Sequence, residues 1–441
     1  MRPTGTPVDG TVPLSSPWIG MNLLMVRPDL AIVDAAQTEL IAALQRHGIH
    51  AIPHTLRHAR ALGGGFHCVT LDLRRDGELA DYTERRPTMP SPRPTPPPPA
   101  AAGGALVARY QQLREATPAR RALIARSRVQ AALRRALHED GFLEVDTPLL
   151  QHCRPAPGRS FNVDSQFLDP HTYLRSSPLH LRGLLTAGHH AVFEIGRSFR
   201  DEPADATHSA EYSLIEIYQA GGDYLGMRDL AQQLICTAAR AATGTTTITT
   251  PSGQTIDLAT PWPVIAVYDA ITEALGMPIT PCTTTEQLRQ AARAHDVPHR
   301  PESDADELVL ELYDHLVEPT TTTPIVYSGF PSGPSPLAAT QPDNAAVAQK
   351  WDLVIRGREI ATGYTETSDP TELQRRMAPD GDRILPSEAS TLDTDWQAVF
   401  NAGLPTPSGG LCIGLERLLL LITDLTQIQD VIPFPLQQDT P

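Results

Sequence analysis

Three short stretches hold the residues best suited to chemistry. In FEIGRSFRDEPADATHSAEYSLIEIY, residues 193–218, Arg200, Glu202 and His208 stand between two strand-like runs, with Arg200 and Glu202 two apart and so on one side of a strand. A guanidinium in such a place grips phosphate bidentately and stabilises charge that builds during transfer. In DLVIRGRE, a central Arg-Gly turn would bring Asp352 and Glu359 together at the ends of a hairpin. Paired carboxylates of that kind suit Mg²⁺ that also touches phosphate oxygens. In GGLCIGLER, glycines let the backbone approach a flat ligand, and Arg417 follows near the start of an apolar helix. Each feature is common alone, since an Arg/Glu pair is ordinarily a solvated face and a glycine-rich turn ordinarily packing. Together they describe a site for a polyphosphate.

The elements that must carry these residues follow from periodicity. RRPTMPSPRPTPPPPAAAGG, residues 85–104, favours extended polyproline II and reads as a semi-rigid linker over 85–105. It separates a head, 1–84, from a body, 106–441. In the head, NLLMVRPDLAIVD reads as strand, turn, strand; AAQTELIAALQRHG reads as helix, and HAIPHTL and HCVTLDLRR as further strands, a small ββαβ-like module. The body opens with an amphipathic helix carrying Leu123, Ile124, Val129, Leu133 and Leu137 and ended by Gly141, followed by FLEVDTP as a strand stopped by Pro148. Strands dominate from Tyr173 to Tyr218, around a helix near LHLRGLLTAG. Residues 225–320 read as mostly helical, with a threonine-rich loop or hairpin at ATGTTTITTPSG, and strands with a terminal helix close the chain. The connections are too short for regular βαβ crossovers, so the fold class is α+β with a largely antiparallel sheet flanked by helices.

Composition narrows the class. The 441 residues carry a formal charge of −15, which disfavours nucleic acid and anionic membranes as partners of the general surface. No apolar run reaches the ~18 residues of a membrane span, and a cytoplasmic protein is expected. Five cysteines, Cys68, Cys153, Cys236, Cys282 and Cys412, are scattered without a CxxC pair, which suits a reducing compartment and argues against zinc. Nearly all cationic side chains are arginine, Lys350 being the exception.

The three stretches resemble the three motifs of class II aminoacyl-tRNA synthetases: GFLEVDTPLL the first, FEIGRSFRDE with HSAEYSLIEIY the second, GGLCIGLERLLLL the third. The resemblance runs from about residue 106 to 434 and is nearest the lysyl branch, including the paralogue that ligates β-lysine to elongation factor P, on YLRSSPLHLRGLLTAG, FPSGPSPLA, GREIATGYTE and IQDVIPFP. It implies catalytic roles for Arg200 and Arg417, and an ATP site of Arg200 on the α-phosphate, Glu202 and His208 on adenine and the phosphate tail, and Tyr212 under adenine opposite Arg417. It implies Mg²⁺ on Asp352 and Glu359, a side-chain amine held by Glu216, Tyr218, Tyr364 and Glu366, and a homodimer through the first motif. The residues agree: Glu216 and Tyr218 share a strand face, as do Tyr364 and Glu366, and carboxylates with aromatic walls suit a cation. The chain departs from the branch where the amino acid's backbone end would sit. Leu179 follows Pro178 directly where a glutamate is usual, Thr362 replaces an asparagine, and Cys412 replaces a glycine.

In the head, ALGGGFHCVTLDLRRDGELADY resembles the C-terminal module of amidinotransferases, whose cysteine, matched by Cys68, attacks a guanidinium carbon. The acid and histidine that activate it come from units this chain lacks, so Cys68 reads as a vestigial nucleophile in a remnant module. The expected reaction is ATP-dependent activation of a cationic amino acid, lysine, β-lysine or an analogue, as its adenylate, with transfer to an amine on a protein or small metabolite. A lysyl-type tRNA ligase without an anticodon-binding domain, and a noncatalytic module that binds an amino acid or partner, are the alternatives.

Overall fold

The computed structural model describes residues 24–27, 29–35, 37–54, 104–114, 117–152, 160–169, 172–249, 253, 255–377, 399 and 402–436. The chain divides into two units, Met1–Pro98 and Pro99–Pro441. In the first, β1 (Leu24–Arg27) pairs antiparallel with β2 (Leu30–Asp34), α1 (Thr38–Arg46) follows, and β3 (His50–His54) returns parallel to β2. This ββαβ order matches the expected reading as far as His54. HCVTLDLRR, with Cys68, lies outside the described residues.

The second unit begins with α2 (Gly104–Arg114) and α3 (Pro118–Glu139), the latter N-capped by Thr117, whose hydroxyl accepts from Arg120 N–H. Then come β4 (Leu143–Glu144), the small pair β5 (Leu150–Gln151) and β6 (Tyr173–Leu174), α4 (His180–Thr186), β7 (Ala191–Phe199), β8 (Glu211–Ala220) and α5 (Tyr224–Thr243). The threonine-rich interruption is a hairpin of β9 (Thr247–Thr249) and β10 (Thr255–Asp257). Beyond it lie β11 (Val264–Ala266), α6 (Val267–Leu275), α7 (Thr285–Ala294), α8 (Ala305–Leu312), a π-helical turn at Tyr313–Val317, and β12 (Ile325–Ser328). The chain closes with β13 (Thr340–Gln341), β14 (Asn344–Ala348), β15 (Lys350–Val354), β16 (Glu359–Thr365), α9 (Pro370–Met377), β17 (Ser408–Gly414), α10 (Leu415–Thr423) and α11 (Ile428–Val431).

Eight strands form one sheet in the order β11-β12-β15-β16-β17-β8-β7-β4. Its interior pairs are antiparallel and its two outermost pairs, β11·β12 and β4·β7, parallel. The α+β, largely antiparallel expectation therefore holds, with parallel edges added. Two local readings are corrected. The strand expected over FLEVDTP is only Leu143–Glu144, because β4 pairs there with β7 at Val192 and Phe193 and the chain then leaves the edge. Ile124, placed on the apolar face of the first helix, is 41% exposed, and small Ala122 and Ala125 take the inward positions with Val129, Leu133 and Leu137.

Alternation in the four central strands separates core from site. Ile215 and Ile217 of β8, Trp351 and Leu353 of β15, Ala361 of β16, and Leu411 and Ile413 of β17 share one apolar core with α3, α5 and α10. The residues between them point to the other face. One buried polar network ties this core together. Arg126 of α3 bonds Glu416 Oε1 at 2.8 Å and donates to Ser213 Oγ at 2.6 Å, while Ser213 N–H donates to Glu416 Oε2 at 2.8 Å. The paired side chains are only 7% and 3% exposed. Removing one partner strands the other charge, so Arg126→Ala is expected to lower stability by about 3–5 kcal/mol. Urea unfolding checks this; a loss below about 1 kcal/mol would mean that water reaches Glu416 and the network carries little.

Candidate active site

Register lays the site out as two rows across the sheet. In one, Lys350, Tyr364, Gly410 and Tyr218 are successive cross-strand partners; in the next, Asp352, Thr362, Cys412 and Glu216 are. Three inter-strand steps of ~4.8 Å separate Asp352 from Glu216, about 14 Å. A cavity of about 490 Å³ stands over this floor, lined by Arg200, Glu202, His208, Tyr212, Glu216, Asp352, Glu359, Tyr364 and Arg417 among others. Two of the expected residues do not line it. Tyr218 OH lies behind, 3.4 Å from both Tyr364 OH and Glu216 Oε2, and Glu366 is held in a buried ion pair by Arg182. Cys68 lies outside the described residues.

Arg200 and Glu202 are not on a strand. β7 ends at Phe199, and Glu202 N–H donates back to Arg200 O at 3.0 Å, turning the chain ahead of Pro203. They still share the cavity because Arg200 N–H donates to Ala210 O, closing the loop on β8, with the Arg200 guanidinium 5.5 Å from the Tyr212 ring centroid. At the far side of that loop, His208 Nε2 lies 2.9 Å from Arg417 Nη2 and His208 Nδ1 lies 2.8 Å from Asp205 Oδ2. Arginine can only donate, so Nε2 accepts and Nδ1 carries the proton towards Asp205. Burial alone would raise the Asp205 carboxyl, but hydrogen bonds from Thr207 and His208 pull it down to about 2. Arg417 also donates to Glu359 O at 3.1 Å, so its guanidinium is fixed from two sides.

Asp352 and Glu359 are brought together by the turn at Arg356 and Gly357, both at positive φ (57° and 68°), with Ile355 N–H donating to Arg358 O. Asp352 is 6% exposed; Oδ2 accepts from Lys350 Nζ at 2.8 Å, and Oδ1 is buried without a hydrogen-bond partner. An orphaned carboxylate oxygen beside Glu359 fits a hard cation. Among the described residues no three His, Cys, Asp or Glu side chains form a metal-binding group, so a cation here would complete its shell with phosphate oxygens and water. The glycines of the third motif have another use than ligand approach. A Cβ on Gly410 would come within 3.1 Å of Glu366 and Tyr364, and one on Gly409 within 2.8 Å of Met227, so both make room for packed side chains.

Among the charged lining residues not singled out from the sequence are Lys350, whose signal is its rarity and its two-residue spacing from Asp352, and Asp314 and Glu318 on the turns after α8, which give none. A π-helical turn often marks a functional site, but the sequence ELYDHLVEP gives no sign of one. Burial, then repulsion from Asp352 and Glu359, pushes Asp314 up to about 6; burial, then Glu359 and Asp314, pushes Glu318 up to about 7.

Residues 105–438 match the family of tRNA synthetases class II (D, K and N). The chain belongs to that family. It is 40% identical over 340 residues to the lysylphosphatidylglycerol biosynthesis bifunctional protein LysX of Mycobacterium avium, covering 74% of this chain and 28% of that protein. The proteins of the same name in Mycobacterium leprae and Gordonia bronchialis are 39% identical over 342 residues and 38% over 344, with 74% and 75% of this chain and 30% of each relative covered. The chain thus spans under a third of the length of these relatives. A class II synthetase core, a ligase architecture, is therefore established. Among the described residues no helix is long and apolar enough to cross a membrane.

The raised carboxyls make stability depend on pH. A group whose pKa is higher folded than unfolded binds protons more tightly when folded, so its contribution is full below the unfolded value and lost as pH rises through the folded one. For Glu318 the window runs from its ordinary 4.5 to about 7. The nucleotide-free Glu318→Gln protein should melt on the order of 2 °C higher than the parent at pH 8, with the gap closing towards pH 5. A gap that does not change with pH would show that Glu318 is not strained by its charge.

Proposed function

We infer that this chain uses Mg²⁺ and ATP to activate a cationic amino acid, lysine or a close analogue such as β-lysine, as its adenylate, releasing pyrophosphate and passing the acyl group to an acceptor. The observation that carries this is the row Asp352, Thr362, Cys412, Glu216, which sets one carboxylate, suited with Glu359 to a metal, at one end and a buried acid suited to an ammonium at the other. In this reading Arg200 holds the α-phosphate, Tyr212 and Arg417 flank adenine, and His208, anchored by Asp205, keeps Arg417 in place. The substrate carboxylate attacks the α-phosphorus, and Mg²⁺ at Asp352 and Glu359 would neutralise phosphate charge. Glu216 and Tyr364 receive the side-chain amine, with the Tyr218 hydroxyl behind them bridging the two. Glu366 stands behind them in a buried ion pair with Arg182, so Glu216 is the carboxylate that faces the cavity.

Lysine is favoured by the relatives, whose name refers to lysylphosphatidylglycerol. That name also supports a second reading of the acceptor, in which the acyl group travels towards a lipid and not to an amine on a protein or metabolite. Transfer to tRNA is the third outcome to be tested. Exposed Leu143, Leu149 and Leu150 of the first motif, 42–48% accessible, support the expected homodimer.

Amino-acid-dependent ATP–pyrophosphate exchange across lysine, both β-lysine enantiomers, ornithine, arginine and 2,3-diaminopropionate tests the reading. Exchange with one of them should fall at least about 100-fold in Arg200→Ala. Glu216→Gln should raise KM for that amino acid roughly tenfold or more while leaving KM for ATP in place. Equal exchange with a neutral amino acid such as leucine would overturn the amine pocket. Labelled amino acid offered with tRNA, with phosphatidylglycerol vesicles and with amines then reads the acceptor.

A further inference from the structure

The 36 Lys and Arg residues of this chain include one lysine, Lys350. A composition that supplies arginine at every other cationic position keeps an ammonium at one place, and that place lines the cavity over the sheet. The two cations differ in what they can do there. A guanidinium locks onto a carboxylate through two parallel hydrogen bonds, whereas an ammonium is a compact point charge on a flexible stem that can exchange partners.

Lys350 and Asp352 are two apart on β15 and face the same way. The Lys350 ammonium sits 2.8 Å from Asp352 Oδ2 and 4.1 Å from the centroid of the Phe330 ring. It therefore holds one oxygen of the carboxylate, and the other, Oδ1, is the buried oxygen without a hydrogen-bond partner. Further carboxylates line the same cavity, among them Asp314, Glu318 and Glu359, whose charges act on one another and on Asp352. The nearby guanidinium of Arg417 is already committed to His208 and Glu359 O.

We propose that Lys350 is the built-in counter-cation of the divalent-cation site, holding Asp352 in the nucleotide-free protein and exchanging that carboxylate for the polyphosphate when metal and nucleotide bind. Two cations a few ångströms apart on one carboxylate repel each other, so entry of a divalent ion displaces the ammonium. The phosphate chain brought by the same ligand is the anion that can take it up. The face of Phe330 supports the ammonium through the exchange, because attraction to a ring needs no fixed donor geometry. The nucleotide half of this proposal rests on the functional reading above; the competition for Asp352 does not.

The experiment uses the full chain as Lys350→Met and Lys350→Arg, each with its melting temperature recorded. Mn²⁺ binding without nucleotide is read from the paramagnetic resonance of the free ion, and ATP binding at saturating Mg²⁺ by calorimetry. Lys350→Met should bind Mn²⁺ about fivefold more tightly and ATP about fivefold more weakly, the size of one partly buried charge pair acting in opposite directions. Lys350→Arg should bind Mn²⁺ more weakly than the parent, and Asp352→Asn should remove the binding. A lysine that merely supports the fold would weaken both ligands together or neither, and that result overturns the proposal. So does failure of all the proteins to bind Mn²⁺, whereas absence of pyrophosphate exchange in the parent, with the opposed shifts intact, would count against the adenylation reading alone.

Discussion

Strand register is the constraint on which this site depends. Along β8, β15, β16 and β17 the residues buried under α3, α5 and α10 alternate with those facing the cavity. A slip of one residue in any of them would carry Glu216 or Asp352 beneath the helices and turn Ile217 or Trp351 outward. Burying an unpaired carboxylate in that apolar layer costs several kcal/mol, and exposing a large apolar side chain adds to it. The Arg356-Gly357 turn fixes the pairing of β15 with β16, since both residues sit at positive φ and close a tight hairpin. The helices over one face thus decide what can stand on the other.

The Arg126–Glu416–Ser213 network carries this order to the edge of the cavity. Glu416 and Arg417 are adjacent at the start of α10, and a helix turns successive side chains by about 100°. With Glu416 drawn into the core by Arg126 and Ser213, Arg417 is directed to His208 and Glu359. An apolar trio in place of the buried charges would pack at least as well. It would not prescribe the rotation of α10, and the orientation of Arg417 follows from that rotation.

How much of this is legible in the sequence follows from distance along the chain. Motif residues close in sequence, such as Asp352 and Glu359 around their turn, can be paired by inspection because a hairpin is a local event. The period-2 alternation of the central strands is legible for the same reason, and the class II core with it. Two-residue spacing makes Arg200 and Glu202 resemble strand neighbours, although Pro203 already signals the strand's end. Arg182 against Glu366 joins residues 184 positions apart, and Arg126 against Glu416 joins 290; neither partner shows in its own segment. Lys350 stands out in the composition, and its position beside Asp352 on one strand face is available from spacing alone. Asp314 and Glu318 are hidden because the turns that carry them are set by packing distant in sequence, Tyr313 and Val317 sharing a core with Tyr327, Phe330 and Val354.

The charge distribution along the site then limits what can occupy it. Lys350 and Arg417 stand beside Asp352 and Glu359, and Asp314 and Glu318 feel the charge of the same carboxylates, so that end holds more carboxylates than fixed cations. Polyphosphate alone would meet the surplus acids and be repelled; a divalent cation alone would meet Lys350 and Arg417. The two together satisfy both sets, which is the arrangement of a metal-bound nucleotide. About 14 Å away across the sheet, Glu216 faces the cavity beside Tyr364, with Glu366 paired to Arg182 behind them. A ligand that is anionic and metal-bound at one end and cationic at the other meets both requirements. Metal-bound ATP beside a cationic amino acid, the pair that the proposed reaction joins, has that form, and neither half alone meets both ends of the floor.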